Sequence, residues 1–361
     1  MMVPETEAEL AAMIGGAEGP LRISGGGTRP IGRSEGAPLS LAALSGITLY
    51  EPGALTLVAK AGTPVAEITA ALAAHKQRLA FEPMDHRALL GTAGAPTIGG
   101  VVAANVSGPR RISVGAARDF LLGVRFVDGA GQIVKNGGRV MKNVTGYDLV
   151  KLMAGSYGTL GVLTEVSLKV LPDVEAATTL VLDGLDDATA VAAMSAALGS
   201  PYEVTGVAHD PQAGKTRFRL EGFVPSVTYR SKELARVLAP FGRAMEADTD
   251  WAAIRDVTGF AGQAGDVWRI STKPSAAAGL AARMGATAVQ YDWGGGLIWA
   301  LMPKGTELRA SLGAFDGHAT LIRGVADVPV FQPEPAPNAA ITARLRAKFD
   351  PRGILNRGLM G

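Results

Sequence analysis

Cysteine is missing from all 361 residues. Its absence excludes disulfides, thiolate zinc sites and an iron–sulfur cluster held by cysteines of this chain. Electrons leaving a cofactor here through metal clusters must use clusters on another chain. Histidine is scarce as well. His75, His86, His209 and His318 are the whole set, and no two show a spacing such as H-x-x-x-H. That argues against a histidine metal site. Neither sign of charge is in excess: Lys plus Arg number 35 and Asp plus Glu 33, a net of +2. No basic stripe is interleaved with aromatics, so no nucleic acid is expected as a partner. Small anions remain possible. No apolar run approaches the roughly 18 residues that a membrane-spanning helix needs. The start, MMVPETEAELAAMIGG, has no basic region and reads as an acidic amphipathic helix rather than a signal peptide. The expectation is a cytoplasmic, soluble chain, peripheral to an inner membrane only through partners.

What is present points to a large core. Apolar residues make up 47% and charged residues 19%, a balance that disfavours disorder. TLVAKAG (56–62) reads as a strand. TPVAEITAALAAHKQR (63–78) reads as a helix, with Thr63 as N-cap, Pro64 at its first position, and Val65, Ile68 and Leu72 on one face. FLLGVRFVDGAGQIVKN (120–136) reads as a hairpin turning at Asp128–Gly131, and YDLVKLMAGS as a short helix capped by Asp148. VLTEVSLKVLP puts Val162, Val166, Leu168 and Val170 on one strand face, with Glu165, Ser167 and Lys169 opposite. Beyond Pro172 the pattern runs strand, helix, strand, strand, helix, and DVWRIST and GLIWALM continue it as strands. This second part reads as an α+β layer with an antiparallel sheet and helices on one face. The linker FQPEPAPN (331–338), a helix AAITARLRAKF and a tail DPRGILNRGLMG close the chain. The expected division is 1–172, 173–330 and 331–361.

Glycine is concentrated where chemistry is possible. SGGGT (24–28) follows a short strand, but no Lys-Ser/Thr follows the glycines and no helix opens, so it is neither a P-loop nor a dinucleotide fingerprint. Two readings stay open: a tight turn, or a row of bare N–H groups forming an anion nest. In the second reading, a Cβ at Gly26 would fill the anion's place. GTAGAPTIGGVVAANVSGPRR (91–111) adds Gly99-Gly100 and two arginines, and GSYGTLGVLTEV (155–166) adds a third glycine turn. Three such loops suit a long, flat, phosphorylated ligand lying along the backbone.

SGGGT, TIGGVVAANVSGPRR with RDFLLGVRFVDGAG, GRVMKNVTGYDLVKLMAGSYGTLGVLTEVSLKVLP and KFDPRGILN together resemble the flavoprotein superfamily of vanillyl-alcohol oxidase and p-cresol methylhydroxylase. Within it the chain is most similar to the family of smaller FAD-binding subunits of bacterial glycolate oxidase. The resemblance implies an α+β fold: a two-subdomain FAD-binding domain of the vanillyl-alcohol oxidase type and an α+β cap with an antiparallel sheet. It implies FAD as cofactor. Ser24, Gly25, Gly26, Gly27 and Thr28 would line the pyrophosphate. Thr97, Ile98, Gly99, Gly100, Ala103 and Gly108 would run along the ribityl chain and flavin, and Gly161 and Val162 would meet its flavin or adenine end. Arg110 and Arg111 would stabilise a reduced flavin, or contact phosphate, or form a surface pair. Covalently flavinylated members carry a histidine after the first glycine loop. Thr28 and Arg29 stand there in this chain, so the FAD would be non-covalent. Arg357 replaces a usual proline after Asn356, which puts the aim of Asn356 in doubt.

The implied partners are a larger FAD subunit, an iron–sulfur subunit, and glycolate or a related 2-hydroxy acid. The larger subunit resembles enzymes with a histidine-rich metal motif in the cap. Here only DGHATL remains, with His318 as a weak candidate base and no metal expected. Lys142 and Tyr147 could point to the flavin, although Tyr147 reads better as core. Trp268, Arg269, Asp292 and Trp293 read as packing or subunit contact. Three functions stay open: a relay or assembly subunit of a glycolate-oxidising complex, a self-sufficient FAD oxidase of another hydroxylated substrate, and a binding module that has lost flavin.

Overall fold

A computed structural model describes residues 1–140, 147–325 and 327–360. The first glycine loop follows Leu21–Ser24, a strand paired in parallel with Ala37–Ser40. The helix Glu7–Gly15, capped by the Thr6 hydroxyl, buries Leu10 and Ile14 against Leu21, Leu39, Leu41 and, from the tail, Ile354 and Leu355. The tail also adds backbone pairing: Leu21 N–H donates to the Ile354 carbonyl at 2.7 Å, and Asn356 N–H to the Leu21 carbonyl at 3.0 Å. This small layer, made from both chain ends, is the first subdomain.

The second subdomain is an antiparallel sheet ordered Ile47–Glu51, Thr56–Lys60, Val162–Lys169, Leu121–Val127, Ile133–Gly137. The hairpin joining its last two strands turns as the sequence indicates, with Asp128 Oδ1 accepting from Ala130 and Gln132 N–H. Asp148 caps Leu149–Met153 through Lys151 N–H. Two local expectations need correction. Thr63 does not cap the following helix. Its hydroxyl turns back to the Lys60 carbonyl at 2.7 Å, and the helix runs Val65–Ala73 with Pro64 at the N-cap position. That helix stops before residue 78 because Gln77–Arg78 pairs with Leu171–Pro172. The strand Val162–Lys169 is central in the sheet and keeps the expected division of faces: Val162, Val166 and Leu168 are buried on one side, and on the other Ser167 is buried while Glu165 and Lys169 are half-buried.

Past Pro172 the chain builds an eight-stranded antiparallel sheet. Its order is Met245–Glu246, Ala176–Asp183, Lys215–Gly222, Gly206–Asp210, Ala288–Asp292, Leu297–Met302, Asp266–Thr272, Gly317–Arg323. Its two faces do different jobs, as strand alternation requires. Trp268, Ile270, Ile298, Ala300 and Leu321 pack under this second part's helices, while Val267, Trp299, Leu301 and Ile322 join the core of the first half of the chain. The sheet is thus a lid with a helix-covered back and a front set on the first half of the chain. The last helix, Ala336–Phe349, starts earlier than its apolar pattern suggests, after Pro335.

Candidate flavin site

The three glycine loops meet around one cavity of about 620 Å³. Ser24–Thr28 form one wall, Thr97, Gly99, Gly100 and Ala103 a second, and Gly161 and Val162 a third. Backbone dominates these walls because the glycines let the loops close on one another. A Cβ on Gly25 would strike the Thr97 hydroxyl, one on Gly99 the Ala61 residue, and one on Gly161 the Phe126 ring, each inside the 3.0 Å that real Cβ atoms keep. Gly26 corrects the sequence reading. Its φ is not positive, and its Cβ would run into the Ala95 carbonyl of the facing loop rather than into the anion's space. Gly27 does take φ +71 and faces open space.

Among the described residues, the N–H groups of Gly25, Gly26, Gly27, Thr28 and Arg29 have no hydrogen-bond partner. Thr28 is buried, Gly25, Gly26 and Arg29 are half-buried and Gly27 is exposed, so the row is a set of bare amides open to an acceptor in the cavity. Arg22, Arg29 and Arg33 border the same cavity, and no Asp or Glu does. Bare amides plus unopposed arginines suit a pyrophosphate. Apolar lining from Ile31, Leu41, Met84, Val106 and Leu163 suits flat rings. The residues present therefore fit FAD.

One end of the cavity is organised by polar side chains. Arg29 donates from Nε to His86 Nε2 at 3.0 Å and from Nη1 to the Tyr157 hydroxyl at 3.1 Å. Burial first, and the Arg29 charge second, hold His86 well below the ordinary histidine range, so it is a neutral acceptor. Asn356 ties two walls together. Its Oδ1 accepts from Ile23 N–H at 2.7 Å and its Nδ2 donates to the Tyr157 carbonyl at 2.8 Å. The Arg357 substitution does not turn Asn356 away, since Asn356 still borders the cavity.

Several expected site residues stand elsewhere. Ile98 is fully buried in the core. Gly108 lies against the Glu82 backbone, and its carbonyl accepts from Trp293 Nε1 at 3.0 Å. Arg110 is not at the cavity. It forms a buried pair with Glu221 and a second contact with Glu82 at 3.4 Å, so its charge is spent on joining the two domains. Arg111 does not border the cavity either. It donates to Ser107 Oγ at 3.3 Å, and its guanidinium carbon lies 4.9 Å from the Trp293 ring centre. His318 sits on the edge strand of the cap, exposed and outside the cavity lining. Tyr147, read as core, is 88% exposed, and Lys142 lies outside the described residues. The sequence reading missed Arg22, Arg29, Arg33, His86 and Tyr157. The arginines were visible as the basic residues flanking the first glycine loop in LRISGGGTRPIGR.

Comparison with known proteins agrees with this geometry. A family model described as an FAD binding domain matches residues 1–137. Glycolate oxidase subunit GlcE of Escherichia coli (strain K12) is 36% identical over 346 residues, covering 94% of this chain and 92% of the relative. The chain belongs to the GlcE family. Shorter matches include glycolate oxidase subunit GlcD of Bacillus subtilis (strain 168), 43% identical over 84 residues, or 23% of this chain and 18% of that one. D-lactate dehydrogenase of Archaeoglobus fulgidus is 31% identical over 186 residues, or 50% of this chain and 40% of that one. Among solved structures, alkyldihydroxyacetonephosphate synthase superposes with a TM-score of 0.69 over 98% of this chain and 76% of its own, at 15% identity. That likeness concerns the fold, which is of the vanillyl-alcohol oxidase type. This GlcE-family chain is a flavoprotein with FAD as its cofactor. No helix among the described residues is long and apolar enough to cross a membrane, and no group of metal-ligating side chains is found among them.

Proposed function

We propose that this chain is the FAD-binding subunit of a glycolate-oxidising complex, working beside a larger flavin subunit and an iron–sulfur subunit. The observation that carries the reading is the match to GlcE along nearly the whole chain, cap included. FAD, when bound, supplies the capacity to accept and pass on electrons. The chain's own residues do the rest. Amides 25–29 and the bordering arginines hold the pyrophosphate, and Asn356 fixes the spacing of two walls. With no cysteine in the chain and no metal-ligating cluster among the described residues, the onward path for electrons lies on a partner. Contact with a membrane, in this reading, is the partners' affair.

The FAD is held without a covalent bond. Thr28 and Arg29 follow the glycine loop, and the histidine at the cavity, His86, has its Nε2 occupied by Arg29. Acid precipitation of the purified chain is expected to leave all flavin in the supernatant. Yellow colour in the pellet would refute this.

Taken alone, the FAD-loaded chain is expected not to oxidise glycolate at a useful rate. No histidine outside the Arg29 contact borders the cavity, and a missing general base typically forfeits roughly 10²–10⁴-fold in rate. Anaerobic mixing with glycolate should leave the flavin band intact until the larger flavin and iron–sulfur subunits are added. Bleaching within seconds by the chain alone would make it the dehydrogenase itself, and His318→Ala would then be the next variant to measure.

A further inference from the structure

Several buried and half-buried arginines of this chain are balanced by carboxylates. Arg78, Arg110 and Arg219 meet Glu221 or Glu82, and Arg255 meets Asp256 at 2.7 Å. Arg29, Arg111 and Arg269, at the seam between flavin domain and cap, have no carboxylate of this kind. None of them forms an ion pair with any described residue, and Arg269 has no hydrogen-bond partner among them. Arg111 and Arg269 both stand by Trp293, their guanidinium carbons 4.9 and 5.1 Å from its ring centre. Trp293 itself is fixed by its indole N–H on the Gly108 carbonyl.

The cap sheet supplies polar company for this charge. Its register sets Arg269 opposite Thr320 and Ser271 opposite His318. Directly paired residues, and residues two apart, share a face. The four therefore interrupt the apolar face that Val267, Trp299, Leu301 and Ile322 turn to the flavin domain. The nearby carboxylate offers little compensation. Asp292 is 2% exposed, and burial raises it to about 7. Burial also lowers Arg269 to about 10, and although Tyr157 offsets part of this, the charges of Arg29 and Arg111 add to it. With Arg29 assigned to the cofactor's pyrophosphate, Arg111 and Arg269 are left without an anion.

From this juxtaposition we infer that Arg269 and Arg111, with Ser271, Thr320 and His318 around them, form a binding site for a small free carboxylate beside the flavin cavity. The inference rests on the flavin-subunit reading and names what the cap face takes. A guanidinium fork matches a planar carboxylate in two parallel hydrogen bonds. The hydroxyls of Ser271 and Thr320 suit the 2-oxygen of a 2-hydroxy or 2-oxo acid. The pyrophosphate has its own partners in the first glycine loop and its arginines, so it does not claim this site. The site binds and orients; no bond is made or broken by it.

The test uses the full FAD-loaded chain and oxalate as a non-oxidisable probe, read by a flavin difference spectrum and by thermal unfolding. Wild-type protein is expected to bind oxalate saturably and to melt higher with it. Arg269→Met and Arg111→Met should each weaken oxalate binding about ten- to a hundredfold, the range set by losing charged hydrogen bonds. Without oxalate, Arg269→Met should melt no lower than wild type, because it removes a half-buried charge that has no carboxylate partner while the methionine can still pack on Trp293. A cation with a purely structural role would do the opposite. Oxalate binding that is absent, or unchanged in both variants, overturns the inference. So does loss of flavin from Arg269→Met, since the arginine would then serve the cofactor. Flavin content of the wild-type chain, measured on the same samples, separates such a failure from failure of the flavin-subunit reading.

Discussion

Gly26→Val is expected to yield a folded chain without flavin. The cause lies on the side of the loop away from the cavity. Any Cβ at Gly26 points at the Ala95 carbonyl and would sit far inside the 3.0 Å that real Cβ atoms keep from their neighbours. A backbone carbonyl cannot rotate aside, so the two glycine loops must part. The amides of 25–29 then leave their line. Losing two charge-assisted hydrogen bonds at about 1.5–3 kcal/mol each is on the order of a hundredfold to ten-thousandfold in FAD affinity. Thr28→Ser keeps the backbone and the hydroxyl and should retain its flavin. The ratio of flavin absorbance to protein absorbance in the two purified variants decides the matter. A fully loaded Gly26→Val would mean that the loop is only a turn.

The same loop shows what sequence reasoning reached and where it stopped. Glycine spacing located the three walls, because bare backbone leaves a mark in composition. The direction in which Gly26 faces left no such mark, since it depends on a loop some seventy residues onward, about Ala95. Arg110 and Arg111 stand next to each other and look alike in sequence. Their fates diverge because Glu221, from a strand of the cap, claims one and Trp293, also from the cap, takes the other. Asp148 and the Asp128 turn were legible because their partners lie within a few residues. Thr63 had an equally good local rule behind it, and the Lys60 carbonyl and Gly46 won its hydroxyl instead. His86 offered nothing to periodicity. Its importance comes from Arg29, far away in the chain and adjacent in space. Local chemistry was visible in the sequence; pairings across the domain seam were not.

Glu221→Gln is expected to be the most destabilising conservative substitution at that seam. Glu221 lies on the cap strand Lys215–Gly222 with its side chain 4% exposed. It accepts from Arg110 Nε at 2.7 Å and also from Arg110 Nη2, contacts Arg78 at 3.3 Å, and lies 3.6 Å from Arg219 Nε. Glutamine keeps the shape and removes the charge. Glu82 remains beside Arg110 and Arg219, but Arg78 and Arg110 lose their buried counterion. Breaking one partner of a buried pair typically costs about 3–5 kcal/mol, and the surviving Glu82 argues for the low end. The pH dependence has a definite sign. Burial pushes the Glu221 carboxyl up, but the hydrogen bond from Arg110 and the charges of Arg219 and Arg110 outweigh it and hold the group at about 2, against an ordinary 4.5. A depressed folded-state value stabilises the fold above the unfolded value, and that stability is lost as pH falls through the folded one. The shift corresponds to about 3 kcal/mol at neutral pH. Urea unfolding at pH 7 should therefore show the full gap between wild type and Glu221→Gln. The gap should narrow steadily as pH falls from about 4.5 towards about 2, because protonation removes from the wild type the charge that the variant never had. A gap that stays constant over that range would mean that the cost of the substitution comes from packing and not from the ion pair.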